Sequence, residues 1–367
     1  MTARTLVVKV GTSSLTDPDG AIDRPMVAKL CTEVAALRGA GDRVVVVTSG
    51  AIAAGLLELG LGGDRRPADV ATLQAVATVG QSALMGVYRE ELATHGLVAG
   101  QVLLVPLDFV VRAQYLHARQ TLSRLLELGV VPVVNENDAI ADDEIRFGDN
   151  DRLAALVANL VDAERLVLLT DTPGVLTADP RVDDTASLIE EIVEIDHQHE
   201  AVAGGAGSPR GSGGMASKLT AAKVAAWSGV STVIAHAHRD GVVADAVNGV
   251  AGVGTVVRAR EARLPARKLW IAFAVVARGH LVVDAGARRA LEGGSSLLSA
   301  GVREVAGDFD AGSPVEVIDD EGTVFAKGLV RHGSDDVRRV AGRRSHDLPP
   351  GSPHVVIHAD DLVIVPG

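Results

Sequence analysis

Aromatic residues are scarce in this chain: Phe, Trp and Tyr make up 2% of its 367 residues. A core of this size must then rest on Val, Leu, Ile and Ala, which pack as layers of helix on sheet. Cysteine is almost absent. Cys31 stands alone, which excludes an intrachain disulfide and fits a reducing cytoplasm. It falls within a helical pattern and reads as a small core residue. Excess positive charge is also missing. The formal net charge of −12 argues against broad nonspecific binding to nucleic acid or acidic membranes. No run of ~18 consecutive apolar residues free of polar breaks occurs, so no membrane span is expected. The start, Met1–Val10, lacks the long apolar region of a secretion signal and reads as a first strand.

What is present is a long chain, 47% hydrophobic and 22% charged, which can bury a sizeable core and suits two domains. Its first two-thirds alternate strand and helix signals. Leu6–Val10, Arg43–Thr48, Val102–Leu107, Val130–Val134, Arg165–Thr170 and Thr232–Ala235 read as strands. Val-rich runs without polar alternation are strands buried on both faces, as in a parallel sheet covered by helices. Helices are expected from a cap at Asp23 with Pro25 to about Arg38, after Ser49-Gly50, and over Ala113–Leu128, Asp151–Leu160 and Met215–Ser228. The order implies a doubly wound α/β fold, a three-layer αβα sandwich on a mainly parallel sheet. Ligands in such folds bind at the carboxyl ends of strands, where the loops after Lys9, Thr48, Asn135 and Thr170 gather.

Three divisions follow: a catalytic domain over 1–257, a connector over 258–277, and a small, mostly β domain over 278–367. The basic stretch Arg258–Lys268, with Pro265, breaks the alternation. Beyond it come short alternating pieces at Gly279–Asp284, Val302–Val305, Pro314–Ile318, Thr323–Leu329 and His354–His358, interrupted by a single helix, Ala285–Leu291.

Two stretches carry most of the chemistry. Asp149-Asn150-Asp151 clusters carboxylates and an amide where an apolar helix begins, more polar groups than one cap needs. Gly211-Ser212-Gly213-Gly214-Met215-Ala216-Ser217-Lys218 is a glycine loop that delivers a lysine into the first turn of a helix. It is neither a P-loop nor a dinucleotide fingerprint, since polar loop rather than strand precedes it. Gly213 and Gly214 would let it fold over phosphates, with Lys218 meeting the developing charge. Lys9, at the end of a buried strand, reads equally as an anion ligand or as a lysine reaching the sheet edge. Gly11 after it lets backbone amides turn toward a phosphate. The helix start at Ser49-Gly50 offers amides too, although taken alone it is better read as a capped, packed helix. Asn135-Glu136-Asn137-Asp138 is a second polar cluster, able to accept from an α-ammonium group. Together these features point to phosphoryl transfer. His197, His199, His236 and His238 read as solvated or satisfied side chains, and Arg331, Arg338, Arg339, Arg343 and Arg344 as a solvated or interdomain face.

The stretches VVKVGTSSLT, VVVTSGAIAAG, VPVVNENDAI, FGDNDRLAALVA, LLTDTPGVLTADPR and GSGGMASKLTAAKVA resemble the bacterial glutamate 5-kinases, a branch of the amino acid kinase family that opens proline biosynthesis. GSSLLSAGV resembles the PUA domain that many of them carry. The resemblance implies ATP-dependent phosphorylation of the L-glutamate γ-carboxylate. By position, Lys9 and Lys218 would neutralise the phosphoryl group in flight and Asp151 would orient both lysines. Ser49, Asp138 and Asn150, helped by Asp149, would bind glutamate. Thr170, Asp171 and the loop Ser212, Gly213, Gly214, Met215, Ala216, Ser217 and Lys218 would bind ATP. Gly11 and Gly50 would supply amides near the phosphates. Mg²⁺ would be held largely by the nucleotide, with no protein metal cage. Pro173 and Leu176 depart from the commonest family pattern. Feedback by proline, a homodimer or tetramer, and a cytoplasmic location are implied as well. Rival readings are a sister kinase for aspartate, N-acetylglutamate, carbamate or UMP, and an RNA-binding or regulatory protein acting through the PUA-like domain.

Overall fold

The computed structural model describes residues 3–365 apart from 18, 62–65, 110, 141–149, 180–182, 204–213, 262, 274, 345–346 and 350–353. Contacts divide the chain into two units, Met1–Leu264 and Pro265–Gly367.

The first unit runs β1 (Thr5–Val10), α1 (Thr12–Leu15), α2 (Arg24–Gly39), β2 (Arg43–Val47), α3 (Ala51–Glu58), α4 (Val70–Thr94), β3 (Ala99–Leu104), α5 (Arg112–Glu127), β4 (Val131–Glu136), α6 (Asn150–Leu160) and β5 (Arg165–Thr170). It continues through β6 (Glu191–Ile192), α7 (His197–Ala203), α8 (Met215–Trp227), β7 (Ser231–His236), α9 (Val242–Asn248) and β8 (Gly254–Val257). The sheet order is β3-β4-β2-β1-β5-β7-β8-β6. Neighbours are parallel except β7 with β8. The expected sandwich is thus present, with β1 among the central strands.

Strand periodicity decides where Lys9 goes. Leu6, Val8 and Val10 join one core with Val27, Leu30, Leu84 and Tyr88 of α2 and α4. Successive side chains alternate faces, so Val7 and Lys9 point to the other side of the sheet. There Lys9 lies between Val47 of β2 and Leu168 of β5 in register. Helix α2 starts as its sequence dictates: the Asp23 carboxylate accepts from Met26 N at 2.9 Å, with Pro25 in the first turn.

Helices α3 and α4 cross with almost no space between their backbones. A Cβ on Gly80 would lie 1.8 Å from Ala51 O, and one on Gly55 would lie 2.0 Å from Val76 O. Helix α4 is long and apolar enough to cross a membrane by length and composition, with 33% of its most apolar window buried. In this fold its Val76, Leu84, Tyr88 and Leu92 are core residues instead.

Some expectations need correction. The strand expected over Val102–Leu107 begins at Ala99 and ends at Leu104. Pro106 opens a 3₁₀ turn, Pro106–Phe109, whose Asp108 carboxylate accepts from Val105 N at 2.7 Å. The 25-residue helix α4 was not anticipated as separate from the helix after Ser49-Gly50; strands β6 and β8 and helices α1, α7 and α9 were not anticipated either, being too short to show a period.

The second unit comprises α10 (Ala266–Phe273), β9 (Gly279–Val283), α11 (Ala285–Glu292), β10 (Leu297–Leu298), β11 (Val302–Gly307), β12 (Pro314–Ile318), β13 (Val324–Val330), α12 (Ser334–Val340) and β14 (Val355–Ile364). Its sheet order is β10-β14-β13-β12-β9-β11. It is mostly β, as expected, but holds helices beyond α11. The stretch read as a connector contains α10, and the arginine cluster contains α12. On α12, Arg338 pairs with Asp335 at 3.0 Å and Arg339 pairs with Asp336, so these two guanidinium charges are met locally.

Candidate active site

The site is built around the first turn of α6, where Asn150 and Asp151 sit side by side and reach different partners. Asp151 is fully buried. Its Oδ1 lies 2.5 Å from Lys9 Nζ and its Oδ2 3.1 Å from Lys218 Nζ. Both lysines are also buried, one brought by β1 and the other by the first turn of α8. The Ser217 hydroxyl lies 3.1 Å from Asp151 Oδ2 and 2.9 Å from Gly214 O, with one proton to give. Burial pushes the Asp151 carboxyl up, but attraction to Lys9 and Lys218 and hydrogen bonds from both outweigh it. The group is held below the ordinary carboxylate range. Two ammonium groups flank one carboxylate, so the trio carries a surplus positive charge with which to meet an anion.

Asn150 looks the other way. Its Nδ2 lies 2.6 Å from Thr48 O, 2.6 Å from Asn135 Oδ1 and 3.2 Å from Ser49 Oγ. Two protons serve the two short contacts, which leaves the Ser49 hydroxyl to bond elsewhere. Asn135 passes the network on, donating from Nδ2 to Gln81 Oε1 at 2.7 Å. Thr48 Oγ1 lies 3.0 Å from the buried Tyr88 hydroxyl, which fixes the end of β2 against α4.

Beside this network is a cleft of about 220 Å³ lined by Gln81, Gln101, Glu136, Asn137 and Asp138 with apolar and hydroxyl residues, most of them from α4 and β3. Asp138 thus lines a space of amino-acid dimensions. Gly11 is next to Lys9: a Cβ there would lie 3.5 Å from Lys9 Nζ. Gly50, at φ 102°, adopts a left-handed conformation that suits glycine, and opens α3 without a side-chain cap. Gly214 likewise opens α8 uncapped. The amides of α3 and α8 are therefore unclaimed by cap side chains.

Thr170 ends β5, and its hydroxyl donates to Asp171 Oδ1 at 3.1 Å. Met215 is half-buried and Ala216 exposed at the start of α8. Asp149, Ser212 and Gly213 lie outside the described residues. The structure therefore unites Lys9, Asp151, Ser217 and Lys218 in one cluster and Ser49 with Asn150 in a second. Thr170 and Asp171 pair with each other at the end of the strand beside β1. His199 is engaged at 2.6 Å with Asp196, whose carboxylate caps α7.

Gln81 and Tyr88 were not singled out from the sequence. One signal pointed to Gln81. Ala77, Gln81, Leu84 and Tyr88 follow a helical period, and the other three are apolar or aromatic, so the amide had to enter the core.

Comparison with known proteins fits this geometry. Residues 4–236 match the amino acid kinase family and residues 279–350 the PUA domain. The chain is 46% identical over 366 residues to a glutamate 5-kinase of Azoarcus sp. (strain BH72), covering 99% of this chain and 98% of that protein. It is 45% identical over 368 residues to the Burkholderia mallei (strain SAVP1) glutamate 5-kinase, with the same coverage. Among solved structures, carbamate kinase from Giardia lamblia bound to AMP-PNP shares the fold, with a TM-score of 0.50 and 18% identity over 71% of this chain and 99% of that one. The chain belongs to the amino acid kinase family, among the glutamate 5-kinases that carry a PUA domain.

Proposed function

We propose that this chain transfers the γ-phosphoryl group of ATP to the γ-carboxylate of L-glutamate, giving γ-glutamyl phosphate and ADP. The observation that carries the reading is the buried Lys9–Asp151–Lys218 cluster. A carboxylate oxygen attacks the γ-phosphorus, a new P–O bond forms, and the bond to the β-phosphate oxygen breaks. The glutamate side chain is already ionised at neutral pH, with an ordinary pKa of about 4.3. No general base is needed, and the site offers charge rather than a proton acceptor. Lys9 and Lys218 meet the negative charge on the moving phosphoryl group, and Asp151 holds both in place.

Asn150, Ser49 and Asp138 bind glutamate in this reading. Asp149 would help them, and Thr170, Asp171 and the Ser212–Lys218 loop hold the nucleotide. Amides at Gly11 and Gly50 face the phosphates. The nucleotide phosphates would carry Mg²⁺, which would supply further charge neutralisation there. The donor set agrees, because the carboxylate between the lysines is already engaged by them. Feedback by proline, a homo-oligomer and a cytoplasmic location belong to the same reading.

The test is ADP release from MgATP with L-glutamate, trapping the acyl phosphate with hydroxylamine, with aspartate, N-acetylglutamate, carbamate and UMP in parallel. Glutamate-dependent hydroxamate, reduced by proline, is expected. Turnover only with another acceptor would transfer the substrate assignment to a sister kinase.

A further inference from the structure

Gln81 lies on α4, is 8% exposed, and lines the cleft beside Glu136 and Asp138. Its Oε1 accepts from Asn135 Nδ2 at 2.7 Å. Its Nε2 is buried and has no hydrogen-bond partner among the described residues. A buried amide donor left unmatched is costly, and native structures rarely retain one without a ligand or water in view.

Backbone groups decide which end of this amide is unmatched. Thr48 O can only accept, so Asn150 must turn its Nδ2 toward it. The second proton of that nitrogen goes to Asn135 Oδ1 at 2.6 Å. The Glu136 N–H, which can only donate, also meets Asn135 Oδ1, at 3.0 Å. Asn135 Nδ2 therefore faces Gln81, whose oxygen receives it. Reversing any amide in this chain would set donor against donor or acceptor against acceptor. The unmatched end of Gln81 is a donor.

We propose that Gln81 Nε2 binds the α-carboxylate of the amino-acid substrate and sets specificity for it. This rests on the glutamate reading given above. The charged residues lining the cleft, Glu136 and Asp138, are carboxylates when ionised, which attract an α-ammonium group and repel an α-carboxylate. Gln81 supplies a neutral donor for the α-carboxylate; Gln101 and Asn137 also line the cleft, but among the described residues lining it the amide buried without a partner is that of Gln81. The substrate class is then an α-amino acid with a free α-carboxylate. An α-carboxamide can offer Gln81 its oxygen but brings no negative charge to that contact.

The experiment uses the hydroxamate assay with three acceptors: glutamate, its α-carboxamide (isoglutamine), and 4-aminobutyrate, which lacks the α-carboxylate. The wild type should reject both analogues by at least ~10-fold in kcat/KM, the scale of one charge-assisted hydrogen bond. Gln81→Glu keeps the acceptor for Asn135 and replaces the donor by a carboxylate oxygen. It should lower kcat/KM for glutamate by ~100-fold, spare isoglutamine, and leave the KM for ATP unchanged. Gln81→Met should lose ~10-fold or more on glutamate without favouring isoglutamine. Equal use of glutamate and 4-aminobutyrate by the wild type overturns the proposal whether or not the variants fold. So does a folded variant with the wild-type KM for glutamate, or one that loses both acceptors equally. A wild type inactive on glutamate removes the underlying reading, and this contact with it. A wild type active on glutamate whose variants discriminate unchanged removes only the Gln81 contact.

Discussion

Asp151→Asn separates the structural and chemical roles of the lysine cluster. The substitution keeps the shape of the side chain and deletes its charge. Two buried ammonium groups, previously 2.5 and 3.1 Å from carboxylate oxygens, lose that counter-charge. Removing one partner of a buried ion pair costs about 3–5 kcal/mol. For a unit of this size, each kcal/mol shifts the melting midpoint by about 2–4 °C, so a fall of roughly 6–20 °C is expected. Lys218→Met is the opposite case, since it leaves the Lys9–Asp151 pair intact. Its midpoint should stay within a few degrees of wild type, while turnover falls about 10²–10³-fold, as when one preorganised transition-state donor is lost. Calorimetry and the hydroxamate assay read the two effects separately. An Asp151→Asn protein that melts like wild type, or a Lys218→Met protein that melts as low as Asp151→Asn, would refute the reasoning.

Acid behaviour tests the same carboxylate. The folded-state pKa of Asp151 lies below the ordinary value of about 3.9, so the unfolded chain binds more protons in the window beneath it. The stability Asp151 contributes is complete above that window and is lost as pH falls through the folded pKa. Asp151→Asn should lack this limb of the acid titration, and an unchanged limb assigns it to other groups. Gly80→Ala should destabilise the first unit by at least about 1–3 kcal/mol, because the new methyl meets backbone rather than a movable side chain; a wild-type denaturation midpoint would show that α3 and α4 can separate freely. Burial pushes the Cys31 thiol up to about 12, so a thiol reagent at pH 8 should label the protein only on unfolding. Rapid stoichiometric labelling of native protein would contradict that burial.

The sheet was legible because its strands are continuous Val- and Leu-rich runs ended by polar or glycine residues. β2 and β5 begin and end within a residue of expectation. The short strands β6 and β8 were illegible for the same reason, since two and four residues carry no period. Helix α12 was hidden behind its arginines, which read as a charged surface run until their aspartate partners one turn away were seen. At the site, Lys9 was ambiguous from sequence because its partner lies far along the chain. Only the alternation of β1, which sends Lys9 to the face opposite Val8, brings it to α6. Gln81 was harder still. Its importance depends on the orientation of two other amides, and orientation is settled by backbone atoms that every sequence shares.

The position of β1 has a consequence for synthesis of the protein. β1 leaves the ribosome before both of its final neighbours, β2 and β5, and the latter ends at Thr170. Asp151 follows Lys9 by about 140 residues. At ordinary elongation rates the Lys9 ammonium therefore waits roughly 7–28 s for its counter-charge. During that interval a Val-rich strand has an unfilled edge and a cation that cannot be buried cheaply. The lysine proposed above to meet the phosphoryl group would act on the nascent chain as a gatekeeper, discouraging that edge from pairing before its true neighbour exists.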